Sequence, residues 1–519
     1  MIKKYLLIIT YLIFCAAILA LSIRGIAGNP NSEIINNNEW KDEGPLELSP
    51  ERGRFALTYS IVEDKSVHFS LPIARFVTPD LGYSNGKYVS LFFPGLSFLV
   101  IPGYIIGKIF GISQVGTFAV VGFFALLNVL LIVTIARRLG TSIMAAILGS
   151  LVFIFATPAF AYSVSLYQHH ISTFLILSSL YILLSSTFFW ALGIVWLLVA
   201  ASIPVDYPNL ILMLPIGLYG LGRMIYLKTT EDKIKIGLKL PLFLTFCTAI
   251  IPLALFLGFN QLSYGNPFQI SGTVPTVKAI DEEGNPTTPA SAGTEIIEKF
   301  ENPELQSKSL LHFFQSRKML NGFYIHFLSP DRGILYFTPV ILFAAYAILP
   351  LYKKNSRVLA LLLSIIGMGI LLYSMWGDPW GGWAFGSRYL IPTYALFSIL
   401  LAVALDLIKK NILLILFFFA ILAYSISVNS LGALTSNRNP PQVEILALEQ
   451  LSGIEEKYTY ERNYDFLYSN RSKSYIYQTY LADNLYAWEY YRLLTFSILA
   501  VAGLLVILLS TKRFNNEQL

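Results

Sequence analysis

Two stretches of this chain set carboxylates beside cations just after its first apolar run. One reads Ser49-Pro50-Glu51-Arg52-Gly53-Arg54-Phe55 and the other Thr78-Pro79-Asp80-Leu81-Gly82-Tyr83-Ser84-Asn85-Gly86-Lys87. A carboxylate in either place can serve as a general base, taking a proton from a substrate hydroxyl. Each also has a purely structural reading. Ser49 as cap, Pro50 at the first position and Glu51 in the first turn suit a helix start. Asp80 sits between Pro-Asp and Asn-Gly, both turn formers. The residues by themselves leave both readings open.

Further along, four more groups carry chemistry. The pair His169–His170 follows a tyrosine-rich stretch. Neighbouring helical residues point about 100° apart, so a shared metal does not suit them. One of them facing a polar cavity, or anchoring the interface, does. Asp206 stands between Pro204 and Pro208 at the end of an apolar run. An acid so near hydrocarbon needs a cavity or a partner, unless it caps a helix. The stretch 376–389 holds Trp376, Trp380 and Trp383 among glycines and ends in Arg388-Tyr389. Aromatic faces suit sugar rings and an arginine fork suits a phosphate, although interfacial tryptophans also serve as anchors. Arg332, in Ser329-Pro330-Asp331-Arg332-Gly333, is a second phosphate ligand or else an ion-pair partner of Asp331.

The elements that must hold these groups are hydrophobic. Of 519 residues, 55% are hydrophobic and 13% charged, against roughly 25% charged in soluble chains. The pattern predicts an all-α polytopic membrane protein. Its net charge of +6 is explained by loop orientation and implies no nucleic acid. Cys15 and Cys247 both lie in apolar runs and read as core residues. The apolar N-terminal run lacks a small-residue cleavage pattern, so an uncleaved first helix is expected.

Spans of roughly 20 apolar residues are expected near 5–23, 114–136, 141–157, 168–187, 189–205, 207–224, 239–260, 334–352, 357–376, 389–408, 411–430 and 493–511. The run through 171–204 is too long for one helix and predicts a hairpin near 185–187. With 94–111 lying on the membrane surface, every short basic loop falls on one side: Arg137–Arg138, Arg223 to Lys239, Lys353 to Arg357, Lys409–Lys410 and Lys512–Arg513. Basic loops stay cytoplasmic, so both termini are expected inside. The polar segments 27–93, 261–332 and 431–490 then emerge outside. Within the first of them, Phe55, Ala56, Tyr59 and Val62 predict a helix that lies on the membrane or packs on a neighbouring loop. Residues 1–430 read as a transmembrane catalytic module, and 431–519 as a cap loop plus a last span.

In their order and shared outer placement, these features resemble the GT-C superfamily of membrane glycosyltransferases, in its branch of protein O-mannosyltransferases (glycosyltransferase family 39) and aminoarabinose transferases. The likeness runs up to about Pro392 and is carried by several stretches. They are the helix after the first span, the Asp80 to Pro94–Gly95 stretch, Val205-Asp206-Tyr207-Pro208, Asn260 to Gln269, Ser329 to Pro339 and Trp380 to Pro392. The resemblance implies a bundle of about twelve helices with juxtamembrane helices outside, and inverting transfer from a polyprenyl-phosphate sugar. A first-loop carboxylate would be the base, Asp80 or Glu51, with Asp80 slightly favoured because its local pattern is kept. Glu51 stands where relatives carry aspartate, and Arg52 where they carry glutamate. Arg388, Arg332, Lys87, His169 and His170 are the implied ligands of the donor phosphate. Arg54, Tyr83, Asp206, Trp380 and Trp383 are the implied sugar and substrate contacts. Some relatives need a divalent metal, Mg or Mn, for which no dedicated site is readable here. The acceptor, whether lipid, glycan or protein, is not implied.

Two other classes compete. A polysaccharide polymerase or ligase would take an oligosaccharide on a diphosphate lipid. A transporter would carry ionisable residues in mid-span, where this chain has almost none. No nucleotide-binding loop, HExxH pattern or cysteine cluster occurs, which leaves ATP hydrolysis and zinc chemistry without support.

Overall fold

The computed structural model describes residues 2–230, 233–287, 313–453 and 455–511. Lys512–Arg513 and positions 288–312 of the large outer loop lie outside the described residues.

Helix covers each stretch read as a span, and the chain is all-helical and polytopic in class. Among the described residues, seven segments are long and apolar enough by themselves to cross a membrane, from Tyr5–Ser22 to Ala487–Ser510. The helices Ile143–Phe155, His169–Ser185 and Phe189–Ser202 have 13, 17 and 14 residues. They are shorter than the roughly 20 residues that lipid requires. Ile143–Phe155 is buried along its entire length, so protein surrounds it and hydrocarbon thickness does not set its length. The break between Ser185 and Phe189 is the hairpin that the apolar run demanded.

Pro339–Ser374 is continuous helix over 36 residues, about 54 Å at about 1.5 Å per residue. A straight rod of that length would overshoot a hydrocarbon core of roughly 30 Å. Asn355 resolves the mismatch with a non-helical φ of −158° and ψ of 81°. Both ends of the stretch then return to one place. Phe337, just before it, packs edge-on to Phe385 at 5.1 Å, and Tyr373 near its end stacks on Tyr389 at 4.6 Å. Two antiparallel arms are the result, with Lys353, Lys354 and Arg357 at the bend.

Those basic residues meet others at one end of the bundle. Lys354 donates to the Leu139 carbonyl at 2.9 Å, Arg138 to Leu184 at 2.7 Å and Arg223 to Ser186 at 2.7 Å. Ser142 donates to Asp406, which also pairs with Lys409 at 3.0 Å. The helices starting at His169 and Ile391 run from the opposite end toward this one. Between Arg223 and Lys239, strands Ile225–Thr230 and Lys233–Leu238 form an antiparallel hairpin where a plain connector was expected.

At the opposite end the segments between spans build a second core. The helix Ser49–Val62 is buried from Glu51 to Ser60 on every side, so it packs into protein and does not lie on a membrane. Its Phe55 shares that core with Phe76, Val77, Leu81 and Val89. Strands Leu81–Ser84 and Lys87–Ser90 turn at Asn85-Gly86, and the first of them also pairs with Thr276–Val277 of the large loop. Helices Pro94–Leu99 and Ile101–Ile109 follow, with Phe98, Ile106, Ile109 and Phe110 exposed. Cys15 is core as expected, but Cys247 is exposed on the outward side of Leu240–Tyr264.

Residues 431–490 fold back over this outer layer with helices Gln442–Ser452 and Glu461–Tyr468. A buried ion pair clamps them to it. Arg24 donates to Glu47 at 2.7 Å, with side chains 0% and 1% exposed, and Lys473 lies 3.9 Å from the same carboxylate. Glu47→Ala would strand two buried cations, at a cost of about 3–5 kcal/mol. The expected result is a clearly lowered unfolding midpoint in detergent, and an unchanged midpoint would show that the clamp contributes nothing.

Candidate active site

The helix Ser49–Val62 presents Glu51 and Arg54 one turn apart, toward the loop that precedes His169. Arg54 is buried and donates to the Pro50 carbonyl at 3.0 Å. Its guanidinium carbon lies 5.6 Å from the centre of the Tyr167 ring, and that of Arg388 lies 4.9 Å from the same ring. One phenol therefore holds two cations, near enough to repel each other. Asp206 stands beside them and accepts a hydrogen bond from Gln168 Nε2 at 2.7 Å. Burial lowers the Arg54 guanidinium to about 10, with Asp206 opposing that shift and Arg388 adding to it. Burial likewise raises the Asp206 carboxyl, against the Gln168 hydrogen bond and the two arginines.

Gly95 is what lets Asp206 come this close. Its N–H donates to the Pro204 carbonyl at 2.7 Å, and a Cβ there would fall 2.6 Å from that oxygen. Any side chain would push the Asp206 loop away.

Around the arginines, several buried polar atoms make no hydrogen bond among the described residues. They are Arg388 Nε and Nη1, the Tyr167 hydroxyl, Gln168 Oε1 and His169 Nε2. Buried polar atoms almost always find partners. Five such atoms at one place, two of them guanidinium donors and one, Gln168 Oε1, an acceptor, leave hydrogen-bonding capacity for a polar group.

Glu51 is fully buried, accepting from Leu48 N at 3.3 Å and from Leu166 N at a long 3.4 Å. Burial raises its carboxyl to about 7, with Arg24 opposing and Glu47 adding. The Glu51 charge also acts on Tyr167 and Arg54. Asp80 meets the start of the same helix, nearer the surface. Its side chain is 38% exposed, accepts from the Ser49 hydroxyl and sits 3.7 Å from Lys278.

The other expected residues divide. His169 stacks parallel to Tyr167 at 5.9 Å and belongs to the cluster. His170 is turned away, 2.8 Å from the Ala159 carbonyl, and is structural. Arg332 donates to the carbonyls of Asp331, Trp380, Gly382 and Asn439 at 2.7 to 2.9 Å. With four of its five N–H groups on main-chain oxygens it braces the 376–388 loop. Trp380 donates to Asp331 at 3.2 Å and Trp383 to Glu444, so both indoles fasten the same loop. Gly382 turns that loop at a φ of +62°, where L side chains are strained. Lys87 is exposed at the hairpin tip, and Tyr83 packs on Tyr88 at 5.3 Å. The contacts of neither reach the arginine pair.

Sequence reasoning missed Tyr167 and Gln168, which stand directly before the histidines it chose. It also missed Tyr389, which follows Arg388 and stacks on Tyr373. Among the described residues no three His, Cys, Asp or Glu side chains converge as metal ligands.

Solved structures similar to this chain include two of ArnT from Cupriavidus metallidurans. The apo form is 13% identical, covering 97% of this chain and 77% of that one at a TM-score of 0.45. The form bound to undecaprenyl phosphate is 13% identical, covering 96% and 77% at 0.43. No family model and no curated protein matches the chain. At these scores the likeness concerns helical arrangement, and the roles of side chains rest on this chain's own geometry.

Proposed function

We propose that this protein is a membrane glycosyltransferase that moves a sugar from a polyprenyl-phosphate donor to an acceptor hydroxyl with inversion. The single observation that carries the reading is the pairing of Arg54 and Arg388 on Tyr167, with Arg388 Nε and Nη1 unpartnered. Arg388 keeps two donors without partners beside Arg54, and an arginine fork suits a phosphate. The proposed reaction end lies opposite the basic loops, which supports an extracytoplasmic site with both termini inside.

In this reading Glu51 takes the acceptor proton as the acceptor oxygen bonds to the anomeric carbon. The bond from that carbon to the phosphate oxygen breaks, and the polyprenyl phosphate leaves as an anion on Arg388 and Arg54. Charge on the leaving oxygen builds up against fixed cations in a buried site, where electrostatics contributes most. The acceptor hydroxyl displaces the long Leu166 N–H bond to reach Glu51. Asp206 and His169 flank the sugar. A second reading makes Asp80 the base and is favoured by its exposure, since an acceptor reaches it without displacing anything.

Mass spectrometry of lipids retained by protein purified in mild detergent tests the proposal. A polyprenyl-phosphate sugar enriched in Glu51→Gln over wild type is the expected result. A diphosphate-linked oligosaccharide would move the protein to the polymerase class, and bulk phospholipid alone would remove the donor assignment.

A further inference from the structure

The cap formed by residues 431–490 encloses a second cavity, of about 240 Å³, against the first outer segment. None of its lining residues belongs to the Arg54–Arg388 cluster. The floor is buried, with Glu47, Lys473, Asn439 and Asn463 each 5% exposed or less. Arg471 and Glu43, half exposed, form the mouth. Arg438 and Arg462 complete the wall.

Four cations against two carboxylates leave this lining positive, and the carboxylates are already committed. Glu47 is taken by Arg24 and Lys473, and Glu43 by Arg471. Arg438 is held by main-chain oxygens, those of Lys41 at 3.2 Å and Glu47 at 2.8 Å. Arg462 Nη1 is buried, 3.2 Å from a Glu456 oxygen, yet makes no hydrogen bond of acceptable geometry. The Phe466 ring adds an apolar face, with Arg471 4.5 Å from its centre. The volume lies below the 300–1,000 Å³ of drug-sized sites and suits one sugar unit.

We propose that this cavity binds an anionic sugar group, carrying a phosphate or a carboxylate, on the acceptor. The inference rests on the transferase reading and deepens it, because it names the acceptor's chemistry. Arg438 and Arg462 grip the anion, the Asn439 and Asn463 edge meets hydroxyls, and Phe466 covers the ring face. The arginine enclosure selects charged acceptors over neutral ones.

Full-length protein carrying Arg388→Gln, which removes the other anion site, is titrated calorimetrically with inorganic phosphate and with glucuronate. Saturable binding is expected to persist, and to weaken at least about tenfold when Arg438→Gln and Arg462→Gln are added, as loss of charged hydrogen bonds predicts. Arg462 is partly exposed and outside the buried clamp, so Arg462→Gln alone, with an unchanged melting curve, controls for folding. In the native background it should raise KM for the acceptor and leave KM for the donor alone. Anion binding indifferent to both cap arginines would overturn the cavity assignment, and so would binding seen only with phosphatidylglycerol vesicles. If Arg388→Gln leaves transfer intact, the donor-site reading fails instead, whatever the cap variants do.

Discussion

Glu51→Gln is expected to lower turnover by about 10³-fold, the middle of the range for losing a general base, with donor binding retained. Glutamine keeps the shape and the hydrogen bonds of the protonated acid but cannot take the acceptor proton. Because burial raises this carboxyl to about 7, wild-type activity should rise with pH through neutrality, and the residual activity of the variant should lose that step. Stability should move the other way. A carboxyl raised from its ordinary value of 4.5 to about 7 binds its proton more tightly when folded. The fold is therefore unaffected by this group below about pH 4.5 and loses stability as pH rises toward 7 and beyond, by roughly 3 kcal/mol. Glu51→Gln should accordingly melt higher than wild type at pH 8 and alike at pH 4. Asp80→Asn, at the exposed rim, should retain most of its activity. Loss of transfer in Asp80→Asn together with full activity in Glu51→Gln would hand the role of base to Asp80.

Arg388→Gln is expected to cost about 10²- to 10³-fold in transfer, as removal of a preorganised donor to developing negative charge does. Donor binding should fall with it, because the guanidinium meets the phosphate before and after reaction. Arg388→Lys should recover little. A lysine keeps the charge but loses the planar fork that Tyr167 and Tyr389 hold in place. The measurement is the thermal shift produced by a short-chain polyprenyl phosphate, which scales with ligand concentration over Kd. Wild type should shift and Arg388→Gln should not. An undiminished shift in Arg388→Gln would remove the phosphate site from this end of the molecule.

Several features were legible because they depend on local order along the chain. Apolar run length gave the helices, and the run through 171–204 was too long to lack the turn found at Ser185–Phe189. The basic loops around Arg138, Arg223, Lys354 and Lys409 were expected together, and hydrogen bonds join them at one end. Ser49-Pro50-Glu51 announced a helix start that is seen one residue earlier than expected, with Leu48 at the cap position and the Ser49 hydroxyl turned to Asp80.

Other features needed the third dimension. Composition around Arg332 and Arg388 looks alike, an arginine next to glycine-rich loop at a span end. Packing turned one fork onto four carbonyls and left two nitrogens of the other without partners. The helix holding Phe55 and Tyr59 has the spacing of a surface helix, and its burial came from Leu71–Val77, Lys87–Ser90 and Pro94–Leu99 packing around it. Glu47 sits in no recognisable pattern, since its partners Arg24 and Lys473 come from opposite ends of the chain.

The sequence by itself determined the helical membrane class, the gathering of polar chemistry at one end and the short list containing Glu51, Arg54, Asp206 and Arg388. The tertiary structure decided which of those side chains share a site, which are spent on bracing loops, and that Tyr167 joins two arginines. Hydrophobic periodicity is written residue by residue. Whether a charge is free or satisfied depends on distances between segments that only the packed chain brings together.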